Sequence, residues 1–172
     1  PKVYQVRRGA TSLASIKTHR VFWNYLDEPE NEMPVGWLGT EPTSRASCQW
    51  AKTTRGETKT ALSTHPTYRP KAGTIQIEYR LKLPEIRPLK LTFFNAIRDN
   101  GPKEPPSDGV TFRVRVLPFD APAGEPGEVV FERHTDAKVW QDGEVDLSRF
   151  AGQAIRLQLE SHPGPKNNTN CD

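Results

Sequence analysis

Four histidines, 21 acidic side chains and four tryptophans are the groups here that could do chemistry, and their spacing decides which chemistry is open. The serines lack a Gly-x-Ser-x-Gly elbow, and His19, His65, His134 and His162 are scattered, so no nucleophile–base pair is written into the chain. Two histidines precede proline, His65-Pro66 and His162-Pro163, and proline drives the preceding residue toward extended backbone. Both imidazoles therefore read as edge groups, able to meet a sugar hydroxyl or a metal. Glycoside cleavage needs two carboxylates across one bond. The candidates (Asp27, Glu28, Asp99, Asp108, Asp136, Asp142, Asp146) fall in turns or at strand ends, as solvated turn residues do. No enzyme is expected.

Oxygen-rich loops raise a second possibility. Asp99-Asn100-Gly101 and Asn167-Asn168-Thr169-Asn170-Cys171-Asp172 carry the donors that calcium takes, without EF-hand spacing. Asp99 and Asp172 are the candidate metal ligands. A third possibility is aromatic. Trp140 lies in a polar setting, Lys138-Val139-Trp140-Gln141-Asp142, where an indole could stack on a sugar ring while Asp142 bonds its hydroxyls. The same indole could equally cap one end of a core. Trp23 and Trp37, flanked by apolar residues, read as core.

The elements that must position these groups are strands. Thr74-Ile75-Gln76-Ile77-Glu78-Tyr79-Arg80-Leu81 alternates strictly, and so do residues 110–116 and 154–160. Further strands are expected at 2–6, 20–25, 89–94, from 129, and at 143–147. Each should set one face in a core and one in water. Residues 44–52 carry a weak helical pattern with Thr43 or Ser44 as cap. Sixteen prolines and twelve glycines suit short strands joined by turns. The expected fold class is all-β: an antiparallel β-sandwich with few or no helices. A single domain over 1–172 fits, irregular over 1–63 and regular over 64–172.

Composition narrows the partners. Net charge is +3 with the two signs well mixed, and Arg7-Arg8 is only a pair, so no nucleic-acid arm is expected. No apolar run reaches the length of a membrane span. The start at Pro1 has no signal-peptide pattern and reads as a processed or excised chain. Cys48 and Cys171 are the two cysteines. They either form one disulfide, worth about 4–5 kcal/mol in the chain-entropy model, or stand as buried thiols.

Residues 64–172 resemble a known pattern: Thr64-His65-Pro66, the strand 75–81 followed by Leu83-Pro84, Asp108-Gly109-Val110-Thr111-Phe112-Arg113-Val114, Trp140, Val145-Asp146-Leu147-Ser148, Ala151-Gly152-Gln153, and Pro163-Gly164-Pro165 with Asn168 and Asp172. This is similar to galactose-binding-like jelly rolls of carbohydrate-binding modules, particularly the NPCBM type of secreted bacterial proteins. The resemblance implies a non-catalytic jelly roll that binds polysaccharide or oligosaccharide, often with structural calcium, in a secreted or extracytoplasmic protein. His65, Asn168 and Asp172 match positions of that pattern. The expected ligand-binding set is thus Trp140, Asp142, Asn100, Asn168 and His65. The family continues beyond its Asp with one more strand. Here that strand is either cut off or supplied by another segment. An interaction domain packing against other domains of a larger protein is the alternative.

Overall fold

The computed structural model describes residues 2–17 and 19–170. Twelve strands form in chain order among them: β1 Tyr4–Gln5, β2 Arg20–Tyr25, β3 Asn31–Glu32, β4 Gly39–Thr40, β5 Ser47–Arg55, β6 Glu57–His65, β7 Gly73–Lys82, β8 Lys90–Asn95, β9 Val110–Pro118, β10 Glu128–Thr135, β11 Gln141–Asp146 and β12 Ala154–His162. Helical structure among the described residues is limited to two three-residue 3-10 turns, Leu13–Ser15 and Ser148–Phe150. The all-β sandwich expected from alternation is the fold observed.

One sheet runs in the order β10-β9-β12-β7-β2-β3. Its strands are antiparallel, with Leu157 opposite both Tyr79 and Val116. β1 adds a short parallel pairing at Leu81 and Lys82, continuing the edge of β7 that β2 occupies over residues 73–78. The facing layer holds β4-β5-β6 and the pair β8-β11.

Period-two alternation explains the core directly. Ile75, Ile77, Tyr79 and Leu81 of β7 lie on one face with Val21 of β2, Val114 and Val116 of β9, and Ile155 and Leu157 of β12. Across from them stand Cys48 of β5, Val145 of β11 and Leu147, with Leu62, Leu91 and Phe93 partly buried around them. Each fully buried Ile or Leu contributes about 1.5–3 kcal/mol of transfer free energy, so this contact dominates what holds the layers together. Trp23 and Trp37 pack against the same cluster, as expected of core tryptophans.

Two expectations are corrected. Residues 44–52 are not helical: Ser44 closes a turn, its amide donating to Glu41 Oε2, and β5 begins at Ser47. This strand pairs with β6 from Ser47–His65 to Arg55–Glu57, turning through Gly56 at φ 91°, which a side chain rarely adopts. The second correction concerns the outward face of the large sheet. Thr74, Gln76, Glu78, Gln158 and Glu160 are buried rather than set in water.

Candidate functional site

The buried polar face is built from the non-core positions of β2, β7, β12, β9 and β10. Register places Glu78 between Arg20 and Gln158, Gln158 beside Arg115, and Arg113 between Glu160 and Glu132. Opposite charges directly across strands stabilise the pairing. Arg80 faces Arg156, a like-charge pair held by the carboxylate between them.

Two carboxylates anchor this face. The Glu78 side chain is 0% exposed. Its Oε2 accepts from Arg156 Nε at 2.9 Å and Gln158 Nε2 at 3.0 Å, and its Oε1 from Arg80 Nε at 3.2 Å. Burial opposes its ionisation, but the Gln158, Arg156 and Arg80 donors outweigh that and hold its pKa below the usual range. The Glu160 side chain is 4% exposed, with Oε1 accepting from Arg113 Nη1 and Oε2 from Arg115 Nε, each at 2.7 Å. Arg113 Nε also donates to Glu132, and Arg115 Nη1 to the Gly127 carbonyl at 3.3 Å. Each of these two guanidiniums keeps one Nη2 group with no partner among the described residues.

Above this floor lies an open cleft of about 430 Å³, within the size range of ligand sites. Asn24, Thr74, Gln76, Arg113, Arg115, Glu160 and His162 line it from the sheet, residues 26–30 form one wall, and Gly124 reaches in from the connection after β9. The floor is fixed by bonds among its own members: Thr74 Oγ1 donates to Asn24 Oδ1 at 2.5 Å, and Gln76 Nε2 donates to Glu30 Oε1 at 3.1 Å. His162 Nδ1 accepts the Gly164 amide at 2.9 Å, so the neutral ring carries its proton on Nε2. Burial, then the nearby Arg113 charge, push this imidazole below the usual histidine range.

The expected ligand-binding residues Trp140, Asp142, Asn100, Asn168 and His65, and the metal candidate Asp99, lie outside the cleft, whereas His162, Asp27 and Glu28, weighed from sequence as edge histidine and turn carboxylates, line it. Trp140 is partly buried just before β11. Its indole N–H donates to the Glu57 carbonyl at 2.8 Å and its amide to the Arg55 carbonyl at 3.1 Å. Asp99 gathers at the same hairpin tip, its Oδ2 3.6 Å from Arg55 Nη1, and Asn100 Oδ1 accepts from Lys138 Nζ at 3.3 Å. Asp142 is exposed on β11 opposite Phe94. His65 ends β6, eight residues beyond the Trp140 contact, a strand length of roughly 27 Å. There its Nδ1 lies 2.7 Å from the Pro66 carbonyl and its ring packs on Tyr68. Asn168 Nδ2 donates to Asp108 Oδ2 at 2.8 Å. The structure thus brings Trp140 and Asp99 to the β5–β6 hairpin tip and places His65 at the far end of β6, while Glu104, which accepts from the Gly101 amide beside Asn100, lies close enough to His65 to feel its charge.

Among the described residues, no group of three or more His, Cys, Asp or Glu side chains is placed to hold a metal ion. Asp172, expected as a calcium ligand, lies outside the described residues, and so does Cys171. Cys48 is a buried thiol whose pKa burial pushes up to about 12.

Sequence reasoning missed the cleft because alternation assigns outward positions to water. A signal was nonetheless present. The outward positions of residues 76–80, 113–115 and 156–162 are Gln, Glu, Arg and His, which complement one another in charge once the strands become neighbours.

No family model and no solved structure matches this chain. A protein of Archaeoglobus fulgidus, described only as "Uncharacterized protein", is similar to it, 34% identical over 91 residues that cover 48% of this chain and 21% of that protein. The chain thus spans about a fifth of the length of the curated relative it matches.

Proposed function

We propose that this chain is a non-catalytic carbohydrate-binding module whose ligand lies in the cleft on the polar face of the large sheet. The observation that carries this reading is the floor itself: hydrogen-bonding side chains fixed by two buried carboxylates under an open cleft of about 430 Å³. A saccharide presents hydroxyls that both donate and accept, and it gains most from polar partners already held in place. Binding without catalysis is favoured because both oxygens of Glu160 are engaged by guanidiniums, leaving that carboxylate no role as a base.

The resemblance of residues 64–172 to NPCBM modules supports the same reading. So does the length of the similar archaeal protein, of which the matching region is 21%, the setting in which a binding module serves an attached enzyme or surface protein. A structural calcium and an extracytoplasmic location belong to the same proposal. Affinity electrophoresis through a panel of polysaccharides tests it. The folded chain is expected to be retarded by at least one polymer, and Gln76→Ala to abolish most of that retardation. Unretarded migration of folded protein on every polymer would sink the reading.

A further inference from the structure

The two sides of the cleft differ in what they can bond. On the β9–β12 side the groups without partners are donors. These are the Nη2 groups of Arg113 and Arg115, and the Nε2–H of His162, whose Nδ1 is committed to Gly164. The acceptor between them, Glu160, is 4% exposed and already takes one bond on each oxygen. Arg113 and Arg115 share the buried Glu160, and Arg113 Nε also bonds the exposed Glu132, so the formal charge at this corner balances and what remains in excess is guanidinium donors. The opposite wall, residues 26–30, offers acceptors. Glu28 is ion-paired with Lys71 and Glu30 accepts from Gln76, while Asp27 has no ion-pair partner among the described residues.

We infer that the cleft selects an acidic saccharide, seating its anionic group, a carboxylate or sulfate, on the free Nη2 groups of Arg113 and Arg115 and the Nε2–H of His162, with neighbouring hydroxyls donating to the acidic wall. This rests on the saccharide reading of the cleft. A neutral sugar could use both sides, but it leaves the guanidinium donors with an uncharged acceptor. Charged hydrogen bonds are roughly twice as strong as neutral ones, so the acidic ligand wins at the corner. The wall opposes an anion only weakly, because Asp27, Glu28 and Glu30 are all exposed and solvent screens them. That wall also fixes orientation, since an anionic group turned toward it meets only like charge.

An array of uronate-bearing, sulfated and neutral oligosaccharides, followed by calorimetry on the best members, tests this with the whole chain. Acidic members are expected to bind about tenfold or more tightly than neutral ones of equal length. Arg113→Lys and Arg115→Lys keep a cation beside Glu160 but remove the free Nη2, so each, compared at a temperature where circular dichroism shows it folded, should weaken acidic-glycan binding by about tenfold. Asp27→Asn, on the opposite wall, should tighten the same binding by about twofold. The uronate and sulfate arms separate the two sources of the anionic group. Binding confined to neutral members, or acidic binding indifferent to both lysine variants, would overturn this inference and leave the saccharide reading standing. Binding to no member would overturn both.

Discussion

Glu78 shows how one residue sets the character of a face. Buried at 0% exposure beneath three donors, it is the point on which Arg80, Arg156 and Gln158 converge. Removing one partner of such a network leaves the others as buried, uncompensated charges. Glu78→Ala should therefore cost about 3–5 kcal/mol of stability, measured by chemical denaturation. A loss within the range of ordinary surface substitutions would mean that water reaches the arginines. The pH dependence has a definite sign. Because the folded state holds Glu78 below its usual pKa, its contribution is complete above the unfolded value and is lost as acid protonates it. The melting temperature should accordingly fall below about pH 4.3, and Glu78→Gln should remove part of that acid limb. An identical acid limb in both proteins would assign it to other carboxylates.

At the scale of elements, β2 and β7 meet so closely at Gly73 that a side chain has no room. A Cβ there would lie 1.9 Å from the Asn24 carbonyl oxygen and 2.4 Å from Thr67 Oγ1. Gly73→Ala must push β2 away, at a cost of about 3 kcal/mol, or roughly 6–12 °C in melting temperature. An unshifted melt would show that the strands separate freely. Asn24 belongs to the cleft floor, and Leu26 begins its wall, its amide donating to Ala72 next to this glycine. The variant should thus loosen the cleft as well. Elements also mark where the sequence was hardest to read. The strands at 74–81, 110–116 and 154–160 are legible because apolar and polar residues alternate without interruption. The β5–β6 hairpin was not, because Thr, Lys, Ser and Gln fill most of both of its faces. Its strands hold through mutual pairing and a few inward groups such as Cys48 and Leu62 rather than through a periodic apolar stripe.

For the molecule as a whole, the core cluster spans both layers, with Cys48 on one side and Ile75, Tyr79 and Leu157 on the other. Layers joined by one apolar cluster should open together. Cys48 is a built-in reporter of that event: buried, with its thiol pKa pushed up to about 12, it holds almost no thiolate at neutral pH. In a Cys171→Ser background, a thiol reagent should leave the native chain unmodified. Modification should then rise with denaturant along the same transition as circular dichroism. Labelling well before that transition would mean that the β4–β5–β6 layer detaches by itself.

Period-two alternation by itself determined the all-β class, most strand positions and the inward tryptophans, because a strand with one apolar face can be stable only against another apolar face. The same local pattern is blind to what covers the opposite face. Only the tertiary structure decided that Glu78 and Glu160 are buried, that Arg113 and Arg115 meet Glu160 from 47 and 45 residues away in sequence, and that residues 26–30 wall a cleft above them. Charge complementarity between distant strands emerges only when the register is set, and the register is a property of the whole sheet.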